Sequence, residues 1–91
     1  MQFEKQREDM KTAVKWYQKA ADQGNAGAQS KLGECYYLGK GVAENDAEAV
    51  KWFQKAANQE HADAQYYLGE CYYLGRGVAE NDAEAVKWLQ K

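Results

Sequence analysis

Two cysteines and a single histidine are the side chains in this 91-residue sequence best suited to chemistry. Cys35 and Cys71 occupy equivalent places in two successive copies of one repeated stretch. A disulfide needs Cα atoms within about 7 Å, whereas stacked helices stand roughly 8–10 Å apart. The pair is therefore expected as two buried free thiols, acting as small apolar residues. His61 lies in a turn beside Glu60 and Asp63. Zinc wants about four ligands at short spacing, and neither cysteine is near His61 in sequence, so no metal site is expected. Ser30 and Thr12 carry no nucleophile motif around them. The Asp and Glu residues read as helix caps and solvated faces. No catalytic residue and no cofactor follow from these residues, and an enzyme is not expected. The aromatics, three Trp and seven Tyr, are the other resource. They must fill a core, line a surface, or both.

The elements that hold these residues come from a repeat. Leu32 to Trp52, LGECYYLGKGVAENDAEAVKW, returns at Leu68 to Trp88 with Lys40 replaced by Arg76 as the one change. The step of about 36 residues marks a repeat array. The chain has no proline and is rich in Ala, Gln, Glu and Lys, which favour helix. Basic and acidic residues number 12 and 14, for a net charge of -2, and this balance argues against a nucleic-acid partner. No apolar run approaches the roughly 20 residues of a membrane span, and MQFEKQREDMK has no apolar core of a secretory signal.

Five helices are expected in one domain, residues 1–91. Residues 1–10 form an N-terminal extension, either a frayed turn or a backward continuation of the first helix. Residues 11–23 are a helix B with Trp16 on its alanine-bearing face. Residues 26–58 are a full repeat, and 62–91 a second one shortened in its last helix. Helix A carries the stripe Ala28, Leu32, Cys35 and Tyr36. Gly33 and Gly69 interrupt the A helices at a cost of roughly 1 kcal/mol each, which predicts close approach of a neighbouring helix there. Gly39 and Gly75 end the A helices, and Gly41 and Gly77 let the loops turn. Asn45 with Glu48, and Asn81 with Glu84, have the spacing of a reciprocal capping box. Trp16, Trp52 and Trp88 are expected in the core with Leu32 and Leu68. Such units cannot bury their faces alone and stack into a solenoid.

The pattern AxxxLGxxYxxGxGVxxDxxxxxxWxxKAA, carried by Ala28, Leu32, Gly33, Tyr36, Gly39, Gly41, Val42, Asp46, Trp52, Lys55, Ala56 and Ala57, resembles the Sel1-like repeat, a relative of the tetratricopeptide repeat. It recurs at Ala64, Leu68, Gly69, Tyr72, Gly75, Gly77, Val78, Asp82 and Trp88. The resemblance implies an all-α superhelix of about two and a half repeats, with five antiparallel helices. Glu60 replaces the glycine that the family places before helix A and that Gly24 supplies in the first copy. Some members carry two cysteines in each repeat that bridge its helices, whereas this chain has one. The near-identity of the two copies fits recent duplication, a piece of a longer array, or an engineered sequence. Unpaired thiols suit a reducing compartment such as the cytoplasm, although the family also occurs in periplasm and endoplasmic reticulum.

The resemblance also implies that A helices line the concave side of the superhelix. Tyr37, Tyr66, Tyr67 and Tyr73 fall partly off the helix A stripe, and tyrosines there suit peptide or protein recognition. Gln29, Gln65, Glu34 and Glu70 are their expected polar neighbours. Ordinary partial burial is the competing reading. The leading expectation is a non-enzymatic scaffold or adaptor for a protein or peptide. The alternative is a self-assembling unit, a homo-oligomer joined through open repeat ends.

Overall fold

The computed structural model describes the backbone of residues 2–91 and the side chains of residues 8–91; Met1 lies outside the described residues. Five helices follow in order: α1 (Gln2–Asp22), α2 (Ala26–Leu38), α3 (Asp46–Asn58), α4 (Ala62–Leu74) and α5 (Asp82–Leu89). Each packs against the next, and the assembly extends 45 × 25 × 17 Å, longest along one axis. α1 takes in positions 2–10 of the expected extension as one unbroken helix. α1, α3 and α5 are the B helices, and α2 and α4 the A helices.

The glycines at 33 and 69 do what their positions predict. A Cβ on Gly33 would stand 2.7 Å from two carbons of the Phe53 ring, and one on Gly69 would stand 2.7 Å from Leu89 Cγ. Their absence lets α3 and α5 lie directly on the A helices. Gly39 and Gly75 adopt left-handed φ angles of 69° and return their amides to the Cys35 and Cys71 carbonyls. Two residues on, Gly41 presses against the Met10 carbonyl, and Gly77 against that of Asp46. Each loop therefore seats on the helix B of the preceding unit, so the loop glycine also sets the repeat-to-repeat spacing.

The capping boxes form by half. Asn45 Oδ1 accepts from the Glu48 amide at 3.1 Å, and Asn81 Oδ1 from the Glu84 amide at 3.0 Å. The reciprocal bond is replaced, because the Asn45 and Asn81 amides donate to the carbonyls of Tyr36 and Tyr72 at 2.8 and 2.9 Å. The cap residue thus ties helix B back to helix A, and Glu48 is left to pair with Lys51 at 3.2 Å.

The core divides into two clusters. Val14, Ala21, Ala28, Leu32, Cys35 and Trp52 form one. Tyr37, Ala49, Phe53, Ala56, Ala57, Ala64, Leu68, Cys71 and Trp88 form the other. The expectation for Trp16 requires correction. Trp52 is 5% exposed but Trp16 is 64% exposed, with Lys19 Nζ 5.1 Å from its ring centre. Trp52 and Trp88 join clusters that include residues of the preceding unit, and among the described residues no helix packs on the corresponding side of α1.

Candidate functional site

With two near-identical copies, each surface position can be compared with its counterpart 36 residues away. Positions exposed in both copies are surface by design of the repeat. Positions exposed in one copy alone owe that exposure to what does or does not pack beside them.

Gln29 and Gln65 are interior in both copies, which corrects their expected place beside a partner. Gln29 Nε2 donates to the Ala21 carbonyl at 3.2 Å, and Gln65 Nε2 to the Ala57 carbonyl at 3.3 Å. Each amide adds a second bond to a carbonyl in the last turn of the preceding helix B, which also accepts the turn amide of Gly24 or Glu60. Gln59 extends the first of these links, donating to Gln29 Oε1 and the Gly24 carbonyl, both at 3.0 Å.

Tyr37 is also interior, contrary to the expected contact role. It is 4% exposed, while Tyr73, its counterpart, is 60% exposed. Tyr37 meets Phe53 and Tyr67 edge-on, each at 5.9 Å between centres. Tyr67 stacks on Phe53 at 4.9 Å and 8° and donates its hydroxyl to Glu34 Oε1 at 3.4 Å. The Arg76 guanidinium lies 3.9 Å from the Tyr37 ring centre and donates from Nε and Nη2 to Asp46 at 3.2 and 3.0 Å. Nη2 also donates to the Tyr37 carbonyl at 3.3 Å. The hydrogen bond to Asp46 holds this guanidinium in its charged form more firmly than usual. These residues join the second repeat to the first. A helix A flanked on two sides by other helices buries more than one stripe, so Tyr37 was hidden from a single-stripe reading.

Tyr66 and Tyr73 are exposed, but their counterparts are not. Ser30 is 1% exposed and Tyr66 is 58% exposed. Gly33 lies on Phe53, so Ser30, a turn earlier on α2, faces the last turn of α3, which reaches Asn58. α5 ends at Leu89, and a cavity of about 170 Å³ lined by Ala62, Gln65, Tyr66, Trp88, Leu89 and Lys91 lies there instead. Tyr66 and Tyr73 thus belong to the end face of the stack.

Leu38 and Leu74 behave differently. Both are 49% exposed, at equivalent positions in the two A helices. Glu34 and Glu70 lie one turn before them, partly exposed, and Lys31 and Tyr67 another turn back. The sequence analysis named Glu34, Glu70 and Tyr67 but not the leucines. The available signal was a large apolar residue repeated immediately before the helix-ending glycine.

Neither thiol is poised to react. Burial pushes the Cys71 thiol up to about 12 and raises that of Cys35. Both are buried and unbridged. His61 caps α4, its Nδ1 accepting from the Ala64 amide at 3.3 Å, as Asn25 Oδ1 does for Ala28 at 2.8 Å. Among the described residues no three His, Cys, Asp or Glu side chains cluster as metal ligands, and no helix is long and apolar enough to cross a membrane.

The fold has solved counterparts. A Sel1 repeat protein from Oxalobacter formigenes superposes with a TM-score of 0.85 at 45% identity, over 88% of this chain and 33% of its own. A protective antigen present in uropathogenic Escherichia coli strains, which displays an SLR fold, matches with 0.83 at 42% identity, over 85% of this chain and 16% of its own. Cysteine rich protein B of Helicobacter pylori matches with 0.80 at 28% identity, over 85% and 58%. The chain thus spans less than two thirds of each of these proteins. Among curated proteins, no sequence matches. The Sel1 repeat model matches residues 4–25, 26–61 and 62–91, and the chain therefore belongs to the Sel1 repeat family.

Proposed function

We propose that the chain is a non-enzymatic scaffold that holds a protein or peptide along the exposed faces of α2 and α4. Sel1 repeats are generally protein-interaction scaffolds, and that broad role supports the reading. The observation that carries it is the recurrence of Leu38 and Leu74 at equal, half-exposed positions in both copies. A large aliphatic side chain kept in solvent twice, with Glu34 and Glu70 one turn away, offers paired apolar anchors with polar rims. The contact strip is Lys31, Glu34 and Leu38 on α2, with Tyr67, Glu70 and Leu74 on α4. Burial first, then Glu34, holds the Tyr67 phenol protonated, as its donation to Glu34 requires. A partner with apolar residues and a cation between them would suit the strip.

Selecting peptides against the full chain from a displayed random library tests this. Peptides that bind should lose about tenfold or more in affinity when Leu38 and Leu74 are both changed to Ser, with helicity unchanged. They should keep their affinity with Tyr73→Ala. Selected peptides indifferent to both leucines would sink the strip assignment.

Self-assembly through the open repeat ends has weaker support. The tyrosine and arginine that join one repeat to the next are engaged within the chain itself, so a second copy has no free set to offer. A molar mass that stays monomeric over a hundredfold range of loading is expected in light scattering. A mass that climbs with loading would restore the assembly reading.

A further inference from the structure

The two copies differ at few positions, and their differences in charge share one sign. Between residues 23–45 and 59–81 three exchanges alter charge: Gly24 is matched by Glu60, Gly27 by Asp63 and Lys31 by Tyr67. Each makes the second copy more acidic. The first A helix and its flanking turns balance Lys31 and Lys40 against Glu34 and Glu44. The second sets Glu60, Asp63, Glu70 and Glu80 against Arg76 as its one permanent cation, and Arg76 is held by Asp46 at 3.0 Å. Among the described residues these four carboxylates form no ion pair.

Part of this surplus lies on the exposed strip. Asp63 and Glu70 stand one turn before and one turn after Tyr67 on α4, so the three share a face. The Tyr67 hydroxyl reaches across to Glu34 at 3.4 Å. Burial first, then Glu34, Asp63 and Glu70, raise the affinity of that phenol for its proton, so three carboxylates surround one hydroxyl. A hydroxyl laid on a carboxylate, as Tyr67 is on Glu34, brings no countercharge. A further repeat stacked against Glu70 by this same contact would therefore leave the surplus in place.

We infer, on the basis of the scaffold reading, that the strip takes a basic linear segment of another protein, which seats apolar side chains at Leu38 and Leu74 and lays an arginine or lysine beside Tyr67, between Asp63 and Glu70. Charge complementarity selects the segment. Lys31 holds on α2 the place of Tyr67 on α4 and repels a second cation there, so the segment is received in one register. Leu74 and Tyr67 are two helical turns apart, about 10 Å, a distance that an extended chain covers in about three residues. The cation therefore stands about three residues from the apolar residue seated at Leu74.

The probes are random-library peptides selected on the full chain and retained where binding falls with Leu38 and Leu74 both changed to Ser. The retained peptides are expected to carry net positive charge. Changing the basic residue about three places from the apolar anchor to alanine should weaken binding about tenfold. Asp63→Asn and Glu70→Gln in the chain should each weaken it about two- to fivefold, as loss of an accessible charge pair does, and should leave the alanine peptide unaffected. Glu70→Lys should reverse the preference, favouring glutamate at that place in the peptide. Because Asp63 also supports the first turn of α4, Glu70→Gln is the decisive variant, with helicity checked by circular dichroism. Raising salt from about 0.05 to 0.5 M should weaken the parent peptides several-fold and the alanine peptides little. Retained peptides that are neutral or acidic, or that bind both carboxylate variants as tightly as the native chain, would overturn this inference and leave the scaffold reading standing. Failure to retain any peptide dependent on Leu38 and Leu74 would overturn both.

Discussion

Replacing Arg76 by alanine should cost about 2 kcal/mol, and the geometry of the joint sets that figure. Arg76 makes two charge-assisted bonds to Asp46 at 3.0 and 3.2 Å. Such bonds contribute about 1.5–3 kcal/mol, and partial solvent access at both residues places this pair at the lower end. The guanidinium over Tyr37 at 3.9 Å adds about 0.5–1 kcal/mol. For a domain of this size each kcal/mol moves the melting temperature by about 4–8 °C, so a drop of about 10 °C is expected. Arg76→Lys, which installs the residue that stands at position 40, keeps the charge and loses the fork, and should cost about half as much. The first copy gains little from an arginine, because Met10 occupies the place against Gly41 that Asp46 occupies against Gly77. Thermal and urea unfolding of both variants, with a double-mutant cycle against Asp46→Asn, measures the effect. The cycle removes the separate contribution of Asp46 to the start of α3. A shift of less than about 2 °C for Arg76→Ala, or additivity within about 0.3 kcal/mol, would refute the assignment of the joint to this contact.

Other predictions follow from the same geometry. Gly33→Ala should destabilise the chain, because its Cβ meets a Phe53 ring pinned between Tyr37 and Tyr67, and overpacking costs about 1–3 kcal/mol. Gly69→Ala meets Leu89 Cγ at 2.7 Å and the Ala85 carbonyl at 3.2 Å, but Leu89 is half-exposed where Phe53 is buried, so this variant should be the more stable of the two in urea. Glu60 holds a φ of 65° where Gly24 holds 93°, so Glu60→Gly should stabilise by about 0.5–1 kcal/mol in thermal unfolding, relieving left-handed strain. Buried Cys71 keeps its proton up to about 12, while the unfolded thiol ionises near 8.5. The folded chain therefore binds more protons between those values, and stability present in full below about pH 8.5 should fall as pH rises toward 12. Cys71→Ala should flatten that decline in melts at about pH 8 and pH 10.5, and the native thiols should resist alkylation at neutral pH.

The helices, their order and their ends were legible because local chemistry specifies them. Gly39 and Gly75 stop the A helices, Asn45 and Asn81 start the B helices, and Gly33 and Gly69 announce close packing before any partner is known. The faces were less legible, because burial depends on the neighbouring unit rather than on the helix alone. Trp16 sits in AVKWYQKAA and Trp52 in AVKWFQKAA, stretches that differ at one residue, yet the two are opposite in exposure. Tyr37 and Tyr73 sit in the same eight-residue run, LGECYYLG, and only Tyr37 is covered by an arginine and an edge-on tyrosine. Gln29 and Gln65 looked like surface amides, yet each caps a carbonyl of the preceding helix. Leu38 and Leu74, by contrast, keep the same exposure in both copies.

The central claim is that the Leu38–Leu74 strip receives a partner. Amide shift mapping of the full chain with a selected peptide at saturation tests it most directly. The account predicts shifts running along Lys31, Glu34, Leu38, Tyr67, Glu70 and Leu74, with Trp16 and Val86 undisturbed. A map centred on either end of the stack, leaving both leucines unchanged, would contradict it.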